Sequence, residues 1–299
     1  MRLTHDGAQR ASLRSADPGS DGTFGRPSTM APRRRRLTRL VPLAAAVLGL
    51  GALGILPACA SAATAIHVVV VAGPVESQTA KYIADGKALA AQARSYGAVV
   101  TQIYSPNATW SKVHAALQGA DLLIYLGHGN GWPSPYTPFR ASSKDGLGLN
   151  ATAGHGNTNV KYYGEAYLIK YIRMAPHAVV ILNHLCYSAG NSEMGRADPS
   201  RTVAKQRIDN FGAGFLRTGA DVVFAEPRGN PSYILNDLFH SSKTMRQIFW
   251  DTRQATHTYA FTFASARTPG ATAISDPAAP TKYYRAVVGN LDLKATTWR

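Results

Sequence analysis

Residues Ala178–Gly190 read AVVILNHLCYSAG. An apolar run from Ala178 to Leu182, β-branched at Val179, Val180 and Ile181, leads into Asn183-His184-Leu185-Cys186 and breaks at Tyr187-Ser188-Ala189-Gly190. Consecutive apolar residues of this kind suit a strand buried on both faces of a parallel sheet. Such sheets bind ligands just beyond the carboxyl ends of their strands. Cys186 stands at that end and reads as a nucleophile.

The pattern recurs on either side of this stretch. Upstream, Ile66–Ala72 (IHVVVVA) predicts a first strand ended by Gly73-Pro74, and apolar residues at helical spacing predict a helix over 79–95, capped by Ser77 and closed by Gly97. A second strand follows over 98–104, a short helix over 109–117, and a third strand over 121–126 that ends in Gly127-His128-Gly129-Asn130-Gly131. The segment from Trp132 to Val160 carries Gly, Pro, Ser and Asn without periodicity, so a long loop is expected there. Helices are expected over 165–174 and 201–217, a strand over 221–225, and two helices over 233–240 and 244–252. The tail holds an alternating stretch, Tyr259–Phe263, and a candidate hairpin turn at Gly289-Asn290. Strands alternating with helices predict an α/β fold: a doubly wound, mostly parallel sheet flanked by helices on both faces. No Gly-x-Gly-x-x-Gly follows the first strand and no phosphate loop is present, so no nucleotide is expected.

The start of the chain reads differently. Residues 1–29 have the composition of a disordered segment; Arg33–Arg36 and Arg39 precede an apolar stretch, Leu40–Leu56, and small residues follow. A basic, an apolar and an Ala-x-Ala segment in that order make a bacterial-type secretory signal peptide, with cleavage after Ala60, Ala62 or Ala65. Two alternatives are a retained membrane anchor and a lipid anchor at Leu56-Pro57-Ala58-Cys59. Export is common to all three. Residues 1–65 hold nine Arg and three Asp, which leaves 23 basic and 14 acidic residues in 66–299, a net +9. These basic residues are scattered and not interleaved with aromatics, which suits anionic wall polymer or lipid better than nucleic acid. Residues 66–299 suffice for a single domain, with a core over 66–226 and further helices and strands over 227–299. If Cys59 leaves with the leader, Cys186 has no disulfide partner, and an unpaired cysteine in an exported protein asks for a reason. The alternative is a buried, inert thiol.

Two strands thus end in reactive residues, His128 and Cys186. If they are neighbours, the imidazole and the thiol share one sheet edge. An imidazolium beside the thiol is then expected to lower its pKa from about 8.5. Gly129 allows close approach of substrate, and its N–H with that of Cys186 is a candidate oxyanion hole. A hydrophobic strand followed by His128-Gly129, and another followed by Cys186, Ser188 and Gly190, resembles the caspase/haemoglobinase superfamily (clan CD) of cysteine peptidases. The segment Phe211–Val223 is similar to the helix and strand after the cysteine in CHAT domains. The resemblance covers about 66–226. It implies a caspase-like fold, a His128–Cys186 dyad, a peptide or protein substrate and no cofactor.

Specificity does not carry over. In metacaspases, clostripain and separases an Asp two residues before the cysteine receives a basic side chain; here that place is His184, which suits an acidic or neutral one at least as well. Glu226 and Trp132 are further candidates for substrate contact, Tyr162-Tyr163 for a groove or for packing. His184 and Cys186, with His128 or His155, could hold zinc, but no ligand-spacing motif is present and no metal is expected. The reading is an exported cysteine peptidase. The alternative is a catalytically inactive relative that binds a cell-wall or surface ligand.

Overall fold

The structure, a computed structural model, describes residues 65–299. The leader, its cleavage and anchor readings and Cys59 lie outside the described residues. No helix among the described residues is long and apolar enough to cross a membrane.

The five strand runs found in the sequence join an eight-stranded sheet. Strands β1 (His67–Ala72), β2 (Val99–Tyr104) and β3 (Leu122–Leu126) come first. A small hairpin, β4 (Leu147–Asn150) and β5 (Val160–Tyr163), follows, then β6 (Ala178–Asn183) and β7 (Ala220–Glu226). The last three are β8 (Phe261–Ala264), β9 (Thr272–Ser275) and β10 (Ala286–Gly289). The order across the sheet is β2-β1-β3-β6-β7-β10-β9-β8. The first five are parallel and the last three antiparallel. Residues 227–299 thus extend the same sheet.

Every residue of β3 and β6 is buried, as unbroken apolar runs require when both faces are covered. On one face Val69, Val71, Leu123 and Val180 pack with Leu168 of α3 (Glu165–Tyr171) and with Phe211 and Phe215 of α4 (Arg201–Leu216). On the other, Val68, Val70, Ile124 and Ile181 meet Leu89 of α1 (Thr79–Ser95), Leu235 of α5 (Ser232–His240) and Ile248 of α6 (Met245–Trp250). Each such side chain contributes roughly 1.5–3 kcal/mol by leaving water. The expected doubly wound α/β architecture is what forms.

Two expectations are corrected. The Trp132–Val160 segment is not a structureless loop: it carries β4, which pairs antiparallel with β5 from Leu147 opposite Tyr163 to Asn150 opposite Val160. Leu147 and Leu149 are buried in the main core, yet a four-residue LGLN strand is too short to show periodicity. Nor does a hairpin turn at Gly289-Asn290. Strand β10 lies between β7 and β9, and Gly289, at φ +135°, ends it so tightly that a Cβ would stand 2.0 Å from the Asp221 carbonyl oxygen. The chain then leaves the sheet for α7 (Ala295–Trp298). The tail's hairpin is β8–β9 instead.

A buried polar knot closes the carboxyl end of β7, on the edge where β6 ends opposite Glu226. Arg285 donates from Nε to Glu226 Oε1 (3.1 Å), from Nη1 to Asp276 Oδ2 (2.8 Å), and from Nη2 to the Tyr233 hydroxyl (3.1 Å) and the Phe249 carbonyl. It joins β7, the residue after β9, α5 and α6 at one point. Removing one partner of such a set leaves uncompensated buried charge. Arg285→Ala is therefore expected to cost about 3–5 kcal/mol, read as the shift in a urea unfolding curve; an unmoved midpoint would mean that water reaches the carboxylates.

Candidate active site

Strands β3 and β6 pair in parallel with Leu126 opposite Asn183, so the loops that follow them leave the same edge side by side. His128 and Cys186 are delivered by these two loops. Tyr125 fastens the first one. Its ring lies in the core, and its hydroxyl accepts from Gly148 N–H (2.8 Å) and reaches the carbonyls of Gly148 (2.8 Å) and His128 (3.1 Å). Burial raises the Tyr125 pKa well above its ordinary value, so the hydroxyl stays a donor. The β4–β5 hairpin, through Gly148, therefore braces the histidine loop. Gly129 holds the two loops together: a Cβ there would meet the Cys186 carbonyl oxygen at 2.0 Å. Only glycine permits that approach. Among the described residues neither Gly129 N–H nor Cys186 N–H has a protein acceptor.

The imidazole and the thiol have different partners. His128 Nε2 lies 3.1 Å from Glu76 Oε2, and its ring stands edge-on to Tyr162, centroids 6.4 Å apart. Glu76 follows β1, the neighbour of β3 on its other side, and its backbone N–H donates to the Asn157 carbonyl (3.2 Å). Cys186 is half-buried. Burial is the main cause that pushes its thiol up to about 11; the Glu193 carboxylate adds to this, and the Met194 backbone N–H opposes it. Among the described residues His128 and Cys186 share no hydrogen bond. The expected lowering of the thiol pKa is thus reversed, first by burial and then because the charge beside the thiol is the Glu193 carboxylate and not an imidazolium.

Cys186 opens onto a cleft of about 510 Å³ whose walls include Tyr82, His184, Glu193, Arg228 and Tyr284, but not His128. A second cavity of about 270 Å³ adjoins it and shares Lys81, His184 and Arg228. His184 sits at φ +63°, stacked on Tyr82 with centroids 4.8 Å apart. Its Nε2 lies 3.3 Å from Asp85 Oδ2 and its Nδ1 3.3 Å from the Pro227 carbonyl. Burial first, and then Lys81, lower its pKa, while Asp85 and the Pro227 carbonyl act in the opposite sense.

The remaining candidates fall elsewhere. Glu226 does not line the cleft; it is fully buried and paired with Arg285, because it is the last residue of β7 and points into the core. Trp132 lies away from the cleft too: its N–H donates to Asp145 (2.9 Å) and its ring packs beside Phe139 and under the Lys144 ammonium. Tyr162 faces the His128 ring, whereas Tyr163 is buried against Trp110 (4.8 Å). Among the described residues no three His, Cys, Asp or Glu side chains gather as a metal set. Glu76, Tyr82 and Arg228 were not singled out from sequence. Glu76 and Arg228 each follow a parallel strand on the edge already suspected, which was the one available signal.

No family model matches the chain, and no curated protein matches it. Among solved structures it is similar to the Arg-specific cysteine proteinase gingipain R (RGPB), with 12% identity and a TM-score of 0.34 over 77% of this chain. The match spans 61% of that proteinase. A likeness at this level says nothing about activity.

The thiol's setting has a measurable sign. With its pKa pushed up to about 11, Cys186 is a neutral thiol at pH 7 in the free protein. Alkylation by iodoacetamide, followed by mass spectrometry of the Cys186 peptide, is expected to be slow at neutral pH and to rise with pH toward that value. Glu193→Gln removes the opposing charge and is expected to move the profile to lower pH. An unmoved profile would show that the carboxylate does not act on the thiol.

Proposed function

We propose that the chain is an exported cysteine peptidase of the caspase/haemoglobinase superfamily, acting on peptide or protein substrates by acyl transfer. The observation that carries this reading is the parallel pairing of β3 with β6, which sets His128 and Cys186 on adjacent loops, with Cys186 opening onto a cleft. In the proposed reaction the Cys186 thiol passes its proton to His128 as Sγ bonds to the substrate carbonyl carbon. The carbonyl oxygen becomes an oxyanion beside the unpartnered N–H groups of Gly129 and Cys186. Collapse breaks the C–N bond, and the imidazolium gives its proton to the leaving amine. Water, with His128 as base, then releases the acid. Glu76 holds the ring and offsets the imidazolium charge as it forms.

In the free chain the imidazole is turned to Glu76, so contact between imidazole and thiol belongs to the substrate-bound state; such bonds often tighten only when substrate is present. A second reading, an inactive relative that binds an anionic wall polymer, is favoured by one specific observation: His128 is turned to Glu76 and does not line the cleft onto which Cys186 opens.

A panel of peptidyl vinyl sulfones with varied side chains tests the two. The peptidase is expected to label at Cys186 with at least one peptide faster than a free cysteine does. His128→Ala is expected to lower that rate by about 10²–10⁴-fold, and Glu76→Gln less. No labelling above free cysteine across the panel, together with salt-sensitive wall-polymer binding that survives Cys186→Ala, would establish the second reading instead.

A further inference from the structure

The two cavities beside Cys186 are rich in cations, and nearly all of these are already paired. Lys81 meets Asp85 (2.5 Å), Lys282 meets Asp198 (2.7 Å), and Arg196 lies 4.0 Å from Glu193. His184 shares Asp85 with Lys81. Arg228 is the exception: it lines both cavities, yet among the described residues no carboxylate lies within ion-pair distance of its guanidinium. Nor is it loose. Its guanidinium carbon lies 3.8 Å from the centroid of the Tyr284 ring. Stacking occupies the face of the guanidinium and leaves its in-plane N–H fork for a partner. The partner that matches a planar fork of donors is a carboxylate, held by two parallel charge-assisted hydrogen bonds.

The backbone that carries Arg228 is held from the nucleophile's own strand. Asn183 Nδ2 donates to the carbonyls of Glu226 (2.7 Å) and Gly229 (2.8 Å), which lie on either side of Pro227-Arg228. His184 N–H donates to the Glu226 carbonyl (3.3 Å), and its Nδ1 lies 3.3 Å from the Pro227 carbonyl. With Nε2 turned to Asp85 and one ring face on Tyr82, His184 has its polar atoms engaged by the protein. It is built as a brace.

We propose that Arg228 is the specificity-determining residue of the cleft, that it receives the side-chain carboxylate of an Asp or Glu in a peptide bound beside Cys186, and that His184 is the positioning residue that aims it. The proposal rests on the cleft being a peptide site; it assigns the substrate class, which the dyad does not.

The test separates binding from turnover. Cys186→Ala protein is titrated with fluorescent peptides that differ only in carrying Asp, Asn or Lys at the position next to the bond attacked. The Asp peptide is expected to bind about tenfold or more tighter than the Asn peptide, the scale of one charge-assisted hydrogen bond, and the Lys peptide weakest. Arg228→Gln is expected to erase the Asp-over-Asn ratio, and Arg228→Lys to restore part of it. His184→Asn, which tolerates the positive φ, is expected to shrink that ratio while leaving the unfolding midpoint in place. Equal binding of the Asp and Asn peptides, or a ratio that persists in Arg228→Gln, would overturn the proposal even if the vinyl sulfones label Cys186. An Arg228-dependent ratio in a protein that never labels would uphold the proposal and reject the peptidase.

Discussion

The site depends on one constraint: two strands buried on both faces must lie side by side. Strands β3 and β6 have no solvent-facing side, so their side chains are committed to the two hydrophobic layers and only their ends are left for chemistry. Parallel pairing then puts both carboxyl ends on one edge, with Leu126 opposite Asn183. The short steps from those residues to His128 and Cys186 do the rest. The contact of Gly129 with the Cys186 backbone closes the gap between the loops and ties the histidine loop to the cysteine loop without any side-chain bond.

Around that edge the imidazole and the thiol are held apart from one another. The thiol is shielded, faces a carboxylate and is protonated at neutral pH, while the imidazole is turned to Glu76. Both conditions are local. Glu193 and Met194 belong to the chain between Gly190 and α4, and Glu76 to the turn between β1 and α1. Neither segment is part of the sheet, so the sheet places the pair and the connecting segments set its state. Glu193 and Arg228 stand on the walls of the cleft onto which the thiol opens.

Much of the scaffold was legible in the sequence because its signals are periodic. The runs at Ile66–Ala72, Asp121–Leu126 and Ala178–Leu182 became β1, β3 and β6 within one residue at nearly every boundary, and the helix expected over 79–95 forms as Thr79–Ser95. What escaped was short or non-local. Strand β4 has four residues, two of them Leu, and declares itself only when Tyr163 pairs with Leu147. Gly289-Asn290 has the chemistry of a tight turn, but Gly289 is there because the Asp221 carbonyl leaves no room for a Cβ. Glu226 looked like a cleft residue from its position after a strand, and its role was decided by Arg285, which is 59 residues away.

The sequence by itself determined the five parallel strands, their order along the chain, and which two reactive side chains stand at strand ends, because burial and period are written in neighbouring residues. It could not determine what each of those side chains faces. That Glu76 rather than Cys186 receives the His128 nitrogen and that His184 braces the segment bearing Arg228 depend on contacts between residues 52 and 43 positions apart, and the rise of the thiol pKa depends on burial in the folded chain. Those contacts follow from which strands become neighbours, and only the folded sheet decides that.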